Sequence, residues 1–147
     1  MSFYEIILFL HEIIRWMVLV FGIFAVVLAF IGWLARKNWS KVDNLAGLNF
    51  TSLVDIQVLL GLILFFISPI TSAGLRNFSD AMKVADVRFF MVEHSLAMLI
   101  ALVVAHIGRA QVKRAVTDLS KHRRAALWFL VSLVLILAAI PWNRLIN

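Results

Sequence analysis

The chain holds four histidines and no cysteine. Any metal chemistry must therefore run through imidazole, thioether, carboxylate or backbone donors. Two of the histidines, His94 and His106, share one apolar run from Glu93 to Arg109. A helix rising about 1.5 Å per residue puts them about 18 Å apart along its axis, one toward each face of a bilayer. His11 and His122 lie near the ends of two other apolar segments. Two histidines on one membrane helix, each with a candidate partner elsewhere, is a spacing that can stack two b-type haems across a bilayer. The candidate axial pairs are His11 with His94 in the outer half and His106 with His122 near the inner interface. Two imidazoles fill both axial positions of a haem iron, which suits electron transfer rather than substrate binding. Ionisable side chains inside a membrane are costly, so they default to a functional reading. The bland alternative is strongest at His122, where Lys121, Arg123 and Arg124 make a solvated basic turn an equal account.

Two pieces of geometry weigh against the pairing. At about 100° per residue, His106 is turned about 120° from His94, so both face one core only at the edges of its arc. His11 lies 25 residues before Arg36, whereas His94 lies 15 before Arg109. Their depths then differ by about 15 Å, unless the first helix starts outside or tilts, or the third continues past Arg109. The composition of Arg109 to Val116 favours continuation.

A haem also brings two propionates. Arg15, four residues after His11, and Arg109, three after His106, share a helix face with those histidines and are the candidate guanidinium partners. Arg15 could equally pair with Glu12 or snorkel to the interface. Asp55 is the most deeply placed acid. It could orient a ligand imidazole, relay a proton, or bond to Asn49, Gln57 or Ser132. His11-Glu12 and Glu93-His94 invite a non-haem metal site, but helix neighbours point about 100° apart and no Glu-x-x-His motif is present. Met17, Met82, Met91 and Met98 read as packing. Gly22, Gly32, Gly61 and Gly108 would let helices, or a flat macrocycle, come close.

The elements that must position these residues follow from composition. Of 147 residues, 63% are hydrophobic and 15% charged, the balance of an integral membrane protein. The net charge of +6 then reflects basic loops, not nucleic-acid binding. The N-terminus lacks the basic region and cleavage site of a signal peptide. Nothing resembles a phosphate-binding loop or a hydrolytic triad. Four apolar spans are expected, over residues 6–34, 46–67, 89–108 and 125–140, forming an all-α, up-down four-helix transmembrane bundle. Residues 69–88 read as an extramembrane loop, with a short interfacial helix near Phe78 to Val84, and Arg109 to Arg124 as a basic connector. The first and third connectors carry nine basic residues against four at the opposite end. That asymmetry puts both termini outside the cytoplasm of a bacterial inner membrane. Trp16 and Trp142 then fall at the outer interface and Trp33, Trp39 and Trp128 at the inner one.

Several motifs occur in a distinctive order: His11 with Arg15-Trp16, Gly32-Trp33 leading to Lys37-x-Trp39-x-Lys41-x-Asp43-Asn44, Arg88-Phe89-Phe90 before Glu93-His94, Ala105-His106-x-Gly108-Arg109, Lys121-His122-Arg123-Arg124-Ala125, and Ile140-Pro141-Trp142. Together they resemble small four-span bacterial membrane proteins of the "cytochrome b-like" kind, common in Bacteroidota. The resemblance covers nearly the whole chain and implies haem b, with His11, His94, His106 and His122 as the ligating positions.

The expectation is a membrane b-type cytochrome with one or two haems. It would exchange electrons with a quinol or a redox partner as a subunit of a larger respiratory or photosynthetic complex. A cofactor-free accessory or assembly subunit is the alternative from another class, in which polar residues only lock helices together. A proton or ion pathway built on Asp55 is a third.

Overall fold

The computed structural model describes residues 1–145. Helix α1 (Phe3–Leu34) starts at a capping box, in which the Ser2 hydroxyl accepts from the Glu5 amide and the Glu5 carboxylate from the Ser2 amide. Arg36, with φ 51°, turns the chain out of it. Helix α2 (Lys41–Ile67) opens on a second capping box, Ser40 with Asp43. It stops at Ser68 because Pro69 disfavours helix in the residue before it. Three short helices, α3 (Pro69–Arg76), α4 (Phe78–Ala81) and α5 (Ala85–Arg88), carry the chain across this end of the bundle. A π-helical turn, Phe89–Glu93, leads into α6 (His94–Arg114), and α7 (Asp118–Ala139) is capped by Thr117. A 3-10 turn at Trp142–Arg144 follows.

The helices run beyond the apolar segments at their charged ends. The 69–88 segment is largely helical. The basic connector shrinks to Ala115–Thr117, because Arg109 to Arg114 continue α6 and Asp118 to Arg124 begin α7. Charged residues with straight side chains are good helix formers, and at a membrane interface they reach water without ending the helix.

Four helical stretches, Phe3–Leu34, Lys41–Ile67, Ala85–Arg114 and Asp118–Ala139, are long and apolar enough to cross a bilayer, making the chain a multi-pass membrane protein. They close a ring in which α1 packs on α2 and α7, and α6 packs on α7 and, most lightly, on α2. Large apolar side chains such as Val20, Leu59 and Val103 cover the outside, as lipid-facing positions require.

The two ends of the bundle are built differently. Toward the basic connectors the core is solid. Phe50 and Phe129 meet edge to face at 5.6 Å, and each lies against a glycine, Gly22 and Gly47 respectively. Ser132 bridges α7 to α6 by donating to the Ala101 carbonyl at 2.8 Å. Toward the termini the helices part around a cavity of about 660 Å³.

Candidate functional site

The cavity is walled by the first third of α1, the second half of α2 and the start of α6, and it is closed by α3 and the chain around Pro141 to Leu145. Two histidines face each other in it. His11 and His94 have ring centroids 6.5 Å apart and planes inclined at 71°. The depth mismatch foreseen from the sequence is resolved by the longer α6. His11 is 23 residues from the end of α1 at Leu34 and His94 is 20 from the end of α6 at Arg114. A three-residue difference is only about 4.5 Å.

Each ring is held by a neighbour. His94 donates from Nδ1 to the Ala139 carbonyl at 2.8 Å, so its Nε2 carries the free lone pair. The π turn before it rephases the helix, and Ser95 stabilises the altered register by donating to the Phe90 carbonyl at 2.7 Å. Phe89 and Phe90 flank the ring at 5.9 and 6.1 Å between centroids. His11 Nε2 lies 3.2 Å from the side-chain amide of Gln57, while its Nδ1 is buried without a partner. The Gln57 Oε1 is also buried and unpartnered, so turning that amide would let it accept from Nε2–H and leave Nδ1 as a bare lone pair. Gly61 faces His11. A Cβ there would sit 3.4 Å from Cε1, so the absence of a larger side chain keeps the space beside the ring open.

This arrangement fits a metal that arrives with its other ligands. An ion about 2 Å from one nitrogen of each ring, with each nitrogen about 1.1 Å from its ring centre, requires centroids roughly 6 Å apart. The observed 6.5 Å meets that requirement. Among the described residues no cluster of three or more His, Asp or Glu side chains could bind a bare ion. Two imidazoles across a wide, mostly apolar cavity therefore suit a planar metal macrocycle, and the volume lies within the range of cofactor pockets. Arg15 lines the same cavity with Nε buried and unpartnered, its guanidinium 5.5 Å from the Trp16 ring centre. Arg144, not singled out from the sequence, also reaches the cavity. It is held by Asp86 at 2.9 Å and stacks over Phe90.

The second proposed pair does not assemble. His106 Nε2 donates to Asp55 Oδ1 at 2.6 Å, and both side chains are about half exposed on the outside of the bundle. The 120° phase difference along α6 has that consequence: with His94 facing in, His106 faces out. His122 is 1% exposed and wedged between Gly32 and the Trp39 ring, 4.9 Å away, with both ring nitrogens unpartnered. It is therefore not part of a solvated turn. Arg109 is not beside His106 either. It turns inward, 8% exposed, with its Nη1 near Gly47. Asp55 contacts neither Gln57 nor Ser132, which serve His11 and Ala101 instead.

Gln57, the Ala139 carbonyl, Ser95 and the π turn are the site features that sequence reasoning missed. Gln57 was visible as a polar interruption on α2. A backbone carbonyl and a π turn leave no residue signature. Comparison with protein-family models, curated proteins and solved structures gives no match.

Proposed function

We propose that the chain is a membrane b-type cytochrome that binds one haem in the cavity between His11 and His94. The observation that carries this reading is the ring pair itself: two imidazoles from different helices at the separation that bis-axial ligation needs, in a cavity large enough for a porphyrin. A bound haem b would supply a one-electron couple. The chain's residues would do the rest. His94, fixed by Ala139, presents Nε2. Gln57 holds His11 and selects which of its nitrogens stays free. Arg15, half-buried with its Nε unpartnered, would offer a cation to a propionate. With both imidazoles committed to it, a bound haem would be closed to small substrates and would serve electron transfer.

The solid packing around Phe50, Phe129 and His122 supports one haem rather than two. The nine-to-four asymmetry of basic residues supports a bacterial cytoplasmic membrane with the cavity and both termini on the outer side. Helix α3 lines the cavity at that end, and α3 to α5 connect α2 to α6 there, offering the surface on which a redox partner or complex subunit would dock.

A reduced-minus-oxidised visible spectrum of the detergent-purified protein, with haem quantified per chain, tests this. One haem per chain is expected. It should be lost in His11→Ala and in His94→Ala, and kept in His106→Ala and His122→Ala. A folded protein made with ample haem that stays colourless would leave a cofactor-free accessory subunit as the better account.

A further inference from the structure

Asp55 and His106 form a hydrogen-bonded carboxylate–imidazole pair on the outside of the bundle, away from its core. Their side chains are 49% and 51% exposed, on the flank where α2 and α6 meet most lightly. Asp55 is 14 residues from the start of α2 and 12 from its end, about 21 and 18 Å. Asp55 therefore lies near the midpoint of α2, and His106 eight residues, about 12 Å, from the end of α6 at Arg114, which puts the pair on the apolar, lipid-facing stretch of the bundle. Around it Ile56, Leu59, Val103 and Ile107 are exposed and apolar. Among the described residues, no other hydrogen bond reaches either side chain. Titratable groups at that depth are expensive to keep on a lipid-facing surface.

We propose that this pair is a binding site for the head group of a lipid-soluble quinone or hydroquinone. The chemistry selects the ligand. It must travel in the hydrocarbon, be apolar over most of its surface, and offer one small oxygen. With Nε2–H given to Asp55, the neutral His106 ring has Nδ1 as an acceptor for a hydroquinone hydroxyl. With both ring nitrogens protonated, the same Nδ1 donates to a quinone carbonyl. His106 is thus the contact residue and Asp55 its positioning residue. The site requires neither His11 nor His94, which face the opposite side of the α2–α6 seam, so it stands or falls separately from the haem.

The test is photolabelling in phosphatidylcholine–phosphatidylglycerol nanodiscs with an azido-benzoquinone bearing a short alkyl tail, followed by peptide mapping. Label is expected to concentrate on the peptides holding Asp55 and His106 and to be displaced by unlabelled decyl-benzoquinone. Loss of the hydrogen-bonding nitrogen in His106→Leu should lower it about tenfold. Asp55→Asn should also lower it. Leu59→Trp keeps both polar groups but crowds the approach from one turn away, so a loss of label there does not depend on how the polar variants fold. Label spread evenly over the lipid-facing helices would overturn the proposal, as would label indifferent to all three variants. Because the chain has no native cysteine, Val103→Cys gives a clean check for a second copy on this face. Disulfide dimers that exclude the label would overturn it too.

Discussion

The imidazole of His94 gives its Nδ1 proton to the carbonyl oxygen of Ala139, 2.8 Å away across the α6–α7 seam. The bond ties the ring to a rigid helix end and settles its tautomer, so Nε2 is the nitrogen left for a ligand. His94→Ala should abolish haem binding while the chain remains helical and monodisperse, measured by haem per chain and circular dichroism. His94→Met should retain a thioether donor and shift the spectrum and potential instead of erasing both.

Gln57 plays the corresponding part for His11. Replacing it with Leu removes the hydrogen bond and leaves both ring nitrogens free to rotate out of line. Haem affinity should fall by about 10- to 100-fold, the usual cost of losing such an outer partner. A titration of apoprotein with haemin reads the change directly. Unaltered affinity in Gln57→Leu would remove the positioning role.

Gly61 separates the site from ordinary packing. Its replacement by Ala introduces a Cβ 3.4 Å from His11 Cε1, an ordinary contact, and should be tolerated. Gly61→Leu pushes bulk beside the ring and into the cavity, and should eliminate haem with little loss of fold. If both variants bound haem equally well, the cavity beside His11 would not be where the group sits.

At the other end, His122 has a packing role that a stability measurement can isolate. A Cβ at Gly32 would overlap the His122 ring at Cε1 and Nδ1. Gly32→Ala should destabilise the bundle by roughly 1–3 kcal/mol, as overpacked cores do. Adding His122→Ala should recover much of that loss. Thermal unfolding in detergent gives the comparison, and haem content should not change in either variant.

Arg15 tests the orientation of the bound group. If its guanidinium meets a propionate, Arg15→Gln should weaken binding of haemin by about tenfold, the worth of a charge-assisted hydrogen bond. The dimethyl ester of haemin lacks the charged group and should bind wild type and variant alike.

The membrane bundle was legible because bilayer thickness imposes a length on each apolar run, and Ile6 to Leu34 or Ala46 to Ile67 cannot be read otherwise. Helix ends were less so. Arg109 to Arg114 look like loop in a hydropathy profile, yet they favour helix: Lys113 and Arg114 are exposed, while Arg109 turns into the bundle. Pairing His11 with His94 rested on both lying in the outer half, against a depth mismatch that the longer α6 removes. Pairing His106 with His122 failed because depth says nothing about helix phase. The 120° turn was already in the numbers, and once His94 faces inward it sends His106 to Asp55. His122 misled through its neighbours: three basic residues suggested solvent, while Gly32, ninety residues away in sequence, had left a socket for the ring.

The contrast between a solid half and a hollow half bears on how such a protein is made. Phe50, Phe129, Ser132 and the glycines around them lock four helices together without any prosthetic group. On the haem reading, the chain would be inserted and assembled first and loaded afterwards, through the end that α3 lines. Biogenesis would not require the cofactor to be present during translation, and the unloaded form would be a stable intermediate awaiting delivery rather than a casualty for proteolysis.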